Sequence, residues 1–383
     1  MTIDRKVIWP AAVLMAAIFT SFVAQASSLP QEKELLRANA IESMVEELGL
    51  RESDTPVREM PGWSKPEKVL VLSRGYWELE ALQAVAPGVE IVMVESADEA
   101  VANVAGAQAI IGYCNEKLFT REPGLHWIQV YTAGVERCLA NPGMHGAERV
   151  LTNGQRIASP ALAEHSIALM MALVRGLDLY HQNQLKGEWR DIGLARGDYM
   201  ELDGRTMLVV GLGGIGTQVA RKAHGLGMRV IATRNSRREG PDYVEYVGLA
   251  DEVNDLATQA DVVVNTVPLT DQTLGMFDAA FFKAMKPTAY FISVGRGAST
   301  KTDDLVAALE NGEIAGAGLD VTDPEPLPRG HVLWTAPRVI ITPHNAGRSD
   351  RSWDRLFLLV QENLRRYVAG EPMYSVVDIE RGY

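Results

Sequence analysis

Short apolar runs rich in β-branched residues alternate with longer helical or loop segments over most of the chain. This rhythm is typical of parallel strands that are covered by helices, because a strand buried on both faces has few polar positions. The runs fall into two groups, which lie before and after a long apolar helix that begins after Ser159-Pro160. The predicted strands are residues 68–73, 90–94, 109–112, 127–131 and 150–152 in the first group, and 207–210, 229–233, 261–265, 289–293, 316–320 and 338–342 in the second.

We therefore expect an α/β fold with two parallel sheets, one formed by each group of strands. The helix over residues 161–174 is apolar around most of its circumference, so it should be buried on more than one side, between domains or between subunits. A helix predicted over residues 349–369 is expected to fold back onto the first group of strands.

The N-terminus has a different pattern. Arg5 and Lys6 precede an apolar run, residues 7–26, that ends in Ala24-Gln25-Ala26. A basic segment, an apolar core and an A-x-A end are typical of a secretory signal peptide, and the run is also long enough for a membrane anchor. We expect residues 1–26 to direct export to the periplasm or anchoring in the membrane, with a cytoplasmic protein as the alternative. Residues 27–66 are interpreted as an extension that contains a helix and a proline-containing linker.

Composition narrows the function classes. The 383 residues are 47% hydrophobic and carry a net charge of −12, which excludes a disordered chain and argues against a nucleic-acid partner. Any anionic ligand must then be bound by local donors. Cys114 and Cys138 follow successive strands of the first group. We expect two free, buried thiols, with a disulfide that depends on export as the alternative.

A glycine motif, Gly211-x-Gly213-x-x-Gly216, directly follows a predicted strand and opens a predicted helix. In a dinucleotide site the first glycine permits the tight turn, the second lets the backbone approach the pyrophosphate, and the third allows helix and strand to pack closely. Gly214 and Ile215 lie in the same turn, where the helix N-terminus presents free N–H groups. The strand–turn–helix context predicts a bound NAD(P).

The residues that close the next strand bear on the choice between NAD and NADP. An acidic residue there would bind the ribose 2′-hydroxyl of NAD, but this chain has Thr233 followed by Arg234, Ser236 and Arg237. Two guanidinium groups and a hydroxyl suit a 2′-phosphate. We predict that NADP(H) is preferred and that NAD(H) is possible.

Three further motifs each follow the end of a predicted strand, where ligands bind in open α/β sheets. They are a G-R-G turn with Arg296, an E-P-L-P segment with Glu325 and a T-P-H segment with His344. Together they supply a cation, a carboxylate and a histidine. No H-E-x-x-H, C-x-x-C or G-x-S-x-G occurs, so nothing supports a metal site or a serine esterase.

Taken in this order after the glycine motif, the three segments resemble those of the D-isomer-specific 2-hydroxyacid dehydrogenases, over roughly residues 68–378. Within that family, the absence of an acidic residue at position 234 makes an enzyme like the glyoxylate/hydroxypyruvate reductases the expected subgroup. The resemblance implies a flavodoxin-like substrate domain, residues 67–160 completed by 345–383, and a Rossmann-fold NAD(P)-binding domain, residues 161–344. It implies hydride transfer between the nicotinamide and C2 of a small 2-oxo or D-2-hydroxy acid, such as glyoxylate or hydroxypyruvate.

The resemblance also implies roles for individual residues. Arg296 would bind the substrate carboxylate, His344 would act as the acid/base, and Glu325 would pair with His344 and hold its tautomer. Backbone amides of the loop that contains Ala133 and Gly134 would bind the same carboxylate. The remaining expected cofactor contacts are Val267, Pro268 and Asp320, with Asp320 at the nicotinamide carboxamide.

Two further expectations concern assembly and turnover. We expect a homodimer that forms through the helix starting near Ala161. Some relatives of this fold act as dinucleotide-sensing interaction proteins with little turnover, and this is the alternative to an enzyme. The complete set of Arg296, Glu325 and His344 favours an enzyme.

Overall fold

The computed structural model describes residues 30–74, 77–145, 148–191 and 199–382. The chain divides into two compact units, Met1–Glu47 and Leu48–Tyr383. Helix α1 (Pro30–Leu48) ends at Gly49, whose φ of +62° is the left-handed conformation common after a helix C-terminus. The predicted signal or anchor, residues 1–26, lies outside the described residues. In the part of the chain that is described, no helix is long and apolar enough to cross a membrane.

The first parallel sheet has five strands: β1 (Lys68–Leu72), β2 (Glu90–Val94), β3 (Ala109–Ile111), β4 (Trp127–Gln129) and β5 (Val150–Thr152). Their order is β2-β1-β3-β4-β5, and every neighbouring pair is parallel. This is the flavodoxin-like order. The sheet therefore confirms the first part of the predicted fold class.

The second parallel sheet has seven strands: β6 (Thr206–Val210), β7 (Arg229–Arg234), β8 (Tyr246–Leu249), β9 (Val262–Asn265), β10 (Tyr290–Ser293), β11 (Gly316–Leu319) and β12 (Val339–Ile341). Their order is β12-β11-β10-β9-β6-β7-β8, and every pair is again parallel. It is the doubly wound order of a Rossmann fold with one strand added at the edge, which confirms the second part of the predicted fold class.

Helices connect most of the strands. Those around the first sheet are α2 (Leu79–Val85), α3 (Ala97–Asn103), α4 (Glu116–Arg121) and α5 (Glu136–Leu139), and α6 (Ser159–Val174) and α7 (Leu177–Leu185) follow β5. Those of the second sheet are α8 (Gly214–Gly225), α9 (Val253–Ala257), α10 (Ala279–Ala284) and α11 (Thr302–Glu310), and α12 (Ser352–Ala369) comes last. Short 3₁₀ segments span Val57–Glu59, Pro142–Met144, Ala250–Glu252, Gly297–Ser299 and Val332–Trp334.

Helix α6 follows the first sheet and packs against α8, β10 and β11 of the second. Its buried side chains include Ala163, Met170 and Leu173. Most of its apolar surface is therefore covered by its own chain. In the chain, α6 and α7 lie between β5 of the first sheet and β6 of the second.

Helix α12 packs against the first sheet. Asn363 donates a hydrogen bond to the side-chain oxygen of Gln129 at 3.0 Å, and the ring of Tyr367 lies 4.9 Å from that of Trp127. All four residues are buried, so the C-terminal helix belongs to the core of this sheet. A buried amide pair of this kind also fixes the position of the helix along β4.

Strand β8 was not predicted. It pairs with β7 at the edge of the second sheet, and only Val247 and Gly248 of its four residues are buried. A four-residue edge strand that contains a glycine has neither the length nor the apolar run that marks the central strands.

The prediction of two free thiols is wrong, because Cys114 and Cys138 form a disulfide with a Cα–Cα distance of 5.4 Å. Cys114 follows β3 and Cys138 lies in α5, which follows β4. Because β3 and β4 are neighbours in the sheet, the segments that follow them emerge side by side. That adjacency brings the two cysteines within the distance that a disulfide spans.

Reduction of this disulfide should destabilise the protein. The bond closes a loop with a sequence separation of 24, for which the loss is about 3–4 kcal/mol of unfolding free energy. Urea denaturation with and without dithiothreitol measures the effect. A Cys114→Ser/Cys138→Ser double variant should unfold at the reduced midpoint in both conditions, and an unchanged wild-type midpoint would contradict the prediction.

Candidate functional site

The turn between β6 and α8 has the geometry of a dinucleotide site. Gly211 has a φ of +96°, a backbone conformation that favours glycine. A Cβ atom on Gly216 would overlap the carbonyl oxygen of Gly211, so only glycine lets the helix approach the turn this closely. A Cβ on Gly213 would meet no atom within 4 Å, so the space above the turn is open. The residues present therefore fit a pyrophosphate at the helix N-terminus.

The ends of the neighbouring strands surround this turn. Leu212 donates its backbone N–H to the carbonyl of Thr233 at 2.8 Å, and the Thr266 hydroxyl donates to the carbonyl of Gly211 at 2.7 Å. Val267 Cγ1 lies 3.1 Å from the position that a Cβ of Gly211 would take. The other predicted contacts at this edge are half-buried or exposed: Gly214, Ile215 and Pro268.

Arg234 ends β7, and Ser236 and Arg237 lie exposed in the loop that follows. Arg234 Nε is buried and has no hydrogen-bond partner among the described residues. Burial and the positive charges of Arg237 and Arg51 lower the pKa of Arg234. An unpartnered donor in a positive environment suits an anionic group, as a 2′-phosphate would supply.

Arg296 connects the second sheet to a loop of the first. It follows β10, and its Nε donates to Glu136 Oε1 at 2.9 Å, at the start of α5. A Cβ on Gly134 would overlap Arg296 Nη2, so the predicted substrate loop and the predicted substrate cation are in contact. The neighbouring Ala133 is held by its carbonyl, which accepts a hydrogen bond from Asn153 Nδ2 at 2.6 Å.

His344 and Glu325 form a pair. His344 Nδ1 lies 2.6 Å from Glu325 Oε1, and both side chains are partly exposed. A carboxylate acceptor on Nδ1 holds the proton there and leaves Nε2 as the reactive nitrogen. His344 has a φ of +51°, an uncommon backbone conformation for a non-glycine residue that must be held by its surroundings.

The Asp320 carboxylate holds the loop that carries His344. Asp320 is 2% exposed, and its oxygens accept hydrogen bonds from the Thr342 hydroxyl at 2.6 Å and from the backbone N–H groups of Asn345 and Ala346 at 3.0 Å each. Its carbonyl accepts the N–H of His344 at 2.8 Å. The residue that the resemblance places at the nicotinamide therefore also anchors the acid/base loop.

The Arg296 turn lies against the segment that leads to Glu325. Gly297 approaches so closely that a Cβ would overlap the carbonyl oxygen of Thr322, and the Thr302 hydroxyl bonds the carbonyl of Asp323. The loops after β10, β11 and β12 thus form one continuous edge. The predicted catalytic residues lie along it.

Sequence reasoning missed three residues at the site. Glu136 pairs with Arg296, and His165 Nε2 lies 2.9 Å from the Thr342 hydroxyl. Arg156 lies over the glycine turn, with its Cγ 2.8 Å from the position that a Cβ of Gly214 would take. None of the three belongs to a motif of recognised chemistry. The polar stretch Glu164-His165-Ser166 within an otherwise apolar helix was the one signal in the sequence.

Comparisons with known proteins show which family the chain resembles. A family model described as D-isomer specific 2-hydroxyacid dehydrogenase, NAD binding domain, matches residues 167–346. The glyoxylate reductase of Pyrococcus furiosus is 32% identical over 276 residues, which are 70% of this chain and 80% of that protein. Glyoxylate/hydroxypyruvate reductase A of Photorhabdus laumondii is 31% identical over 275 residues, with coverage of 70% and 84%.

A solved structure is similar over both sheets. It is the NADPH-dependent glyoxylate/hydroxypyruvate reductase of Sinorhizobium meliloti in complex with NADP and sulfate, with a TM-score of 0.70 and 28% identity. The match covers 83% of this chain and all of that one.

Proposed function

Because the chain belongs to the family of D-isomer-specific 2-hydroxyacid dehydrogenases, we propose that it reduces small 2-oxo acids such as glyoxylate or hydroxypyruvate with NADPH. The family-level reaction is NAD(P)-dependent oxidoreduction at the CH–OH group of D-2-hydroxy acids. The observation that carries the proposal is the His344–Glu325 pair at 2.6 Å, on the same edge as Arg296 and the glycine turn. The names of the similar reductases support the substrate class.

In the proposed mechanism Arg296 binds the substrate carboxylate, and the backbone amides of Ala133 and Gly134 bind it from the other sheet. Glu136 accepts from Arg296 Nε, and this contact keeps Nη2 beside the loop that contains Gly134. A substrate fixed in this way presents its C2 carbonyl in one orientation.

The bound cofactor supplies the hydride to C2. His344 donates the proton from Nε2 to the carbonyl oxygen as that oxygen gains negative charge, so a hydride and a proton together convert the carbonyl into CH–OH. Glu325 accepts the Nδ1–H of His344, which fixes the orientation of the ring. In the oxidative direction the neutral Nε2 takes the hydroxyl proton.

Loss of the acid/base or of the cation should abolish most of the turnover. We expect His344→Gln and Arg296→Gln each to lower kcat/KM for glyoxylate and hydroxypyruvate by about 10²–10⁴-fold, because general acid catalysis and carboxylate binding are lost. His224→Gln, at an exposed position near the end of α8, is the matched control and should keep wild-type rates. Wild-type protein that binds NADPH without turning over any 2-oxo acid would support the interaction-protein alternative.

The cofactor preference follows from Arg234 and Arg237. Wild-type kcat/KM should be at least about tenfold higher with NADPH than with NADH, because one charge-assisted hydrogen bond is worth about 1.5–3 kcal/mol. An Arg234→Ala/Arg237→Ala variant should raise KM for NADPH and leave the kinetics with NADH unchanged. A wild-type preference for NADH would refute this part of the proposal.

We further propose a homodimer. The helix expected to form it, α6, is covered largely by its own chain, but three large apolar side chains are exposed on α7 and just after it. Leu177 is 53% exposed, Leu185 is 75% exposed and Trp189 is fully exposed. A second copy of this surface would cover these side chains.

Light scattering coupled to size-exclusion chromatography tests the dimer. The wild type should elute with twice the mass of one chain, and Leu185→Asp should shift it toward the monomer, since it places a charge in the apolar contact. Leu274→Asp, at another exposed leucine, is the control and should remain dimeric. A monomeric wild type would rule out the assembly.

A further inference from the structure

The turn before α6 brings Arg156 to the glycine turn, and the segment after α1 carries a second arginine, Arg51. We propose that Arg51 and Arg156 join Arg234 and Arg237 in binding the 2′-phosphate of NADP(H). This inference rests on the proposed NADPH-dependent function and extends it to a part of the chain that precedes both sheets. The four residues are called the arginine cluster below.

Arg156 connects the glycine turn to the segment after α1. Its Cγ lies 2.8 Å from the position that a Cβ of Gly214 would occupy, in the first turn of α8. At the other end of the side chain, Nη1 donates to the carbonyl of Leu48 at 3.2 Å and lies 3.3 Å from a Cβ position on Gly49. Arg51 follows two residues later, and it is exposed. The guanidinium of Arg156 therefore lies between the cofactor turn and the backbone that carries Arg51.

The positive charges of the cluster act on one another. Burial lowers the pKa of Arg156, and so do the charges of Arg51, Arg234 and Arg237. The nearby carboxylate is that of Glu239, which lies 3.9 Å from Arg237 and is 83% exposed on its side chain. Such an exposed carboxylate is screened by water and compensates the cluster weakly.

Two features indicate that an anion belongs among these side chains. Arg234 Nε is buried without a hydrogen-bond partner in the described part of the chain, which is costly unless a ligand accepts from it. Arg156 has a φ of +69°, and a non-glycine residue in this conformation is retained where its surroundings or its function require it. The side chain of Arg156 is thus held over the glycine turn by a backbone conformation that is unfavourable for a non-glycine residue.

The location selects the anion. Arg234 and Arg237 follow β7, the strand whose end lies beside the adenosine ribose in dinucleotide-binding sheets. A phosphate monoester on that ribose carries close to two negative charges, and guanidinium groups bind such a group through paired hydrogen bonds. Arg156 lies over the glycine turn, and Leu212 of that turn donates its N–H to the carbonyl of Thr233, the residue before Arg234, at 2.8 Å. The turn under Arg156 is therefore adjacent to the end of β7 that carries Arg234, and on this adjacency we assign Arg156 to the same phosphate.

Ligand binding to the full chain tests the assignment without turnover. Dissociation constants for NADPH and NADH come from nicotinamide fluorescence, and those for 2′,5′-ADP and 5′-AMP come from calorimetry. We expect Arg156→Gln to weaken NADPH and 2′,5′-ADP at least about tenfold, and the exposed Arg51→Gln to weaken both about threefold. NADH and 5′-AMP should change less than about twofold, because they lack the 2′-phosphate, and Arg156→Lys should recover part of the loss.

Two controls separate the possible failures. Arg58→Gln removes an exposed arginine of the same segment and should leave all four dissociation constants unchanged. Arg234→Gln tests the proposed cofactor choice: if it and the wild type fail to distinguish NADPH from NADH, the proposed function fails. If Arg234→Gln loses NADPH affinity while Arg51→Gln and Arg156→Gln keep it, the present inference alone is overturned. The inference is also overturned if Arg156→Gln weakens the binding of NADPH and of NADH equally. If Arg156→Gln does not fold, the dissociation constants of Arg51→Gln test the inference instead.

Discussion

A single buried carboxylate determines where the candidate acid/base lies. Removing a carboxylate from water is unfavourable unless hydrogen bonds replace its hydration, and Asp320 obtains them from the loop that follows β12. Its donors flank His344, so satisfying the charge also fixes the histidine backbone in its uncommon conformation. The pair with Glu325 then needs only to orient the ring. The position of the candidate acid/base therefore depends on the need of the buried Asp320 carboxylate for hydrogen-bond donors.

Much of the fold could be predicted because its causes are local. Central strands such as β6 and β9 are buried on both faces, and uninterrupted apolar runs identify them. The glycine turn could be predicted for a similar reason, since Gly211 and Gly216 occupy positions where the backbone geometry leaves no room for another residue. Strand β8 pairs with a neighbour on one side only and has a short apolar run, so its sequence does not distinguish it from a loop.

The parts that could not be predicted depend on which segments meet. Arg156 and Glu136 are inconspicuous in sequence, and they enter the site only because the first sheet lies next to the second. The pairing of Cys114 with Cys138 depends likewise on the adjacency of two strands, which spacing along the chain does not specify. The three candidate catalytic motifs could be found in the sequence because three successive strand ends carry them. The contacts of these motifs with the first sheet could not be predicted from the sequence.

The disulfide lies at the edge that would receive the substrate. Cys138 is two residues from Glu136 in α5, and Glu136 accepts a hydrogen bond from Arg296, so the covalent bond anchors the helix that positions the proposed carboxylate-binding cation. The redox state of the surroundings decides whether this disulfide forms, and it therefore affects the structure of this edge of the enzyme. Protein produced in a reducing cytoplasm and protein matured in an oxidising compartment would share one sequence and differ in the rigidity of this edge. The host and the buffer chosen for purification thus select which of the two forms is studied.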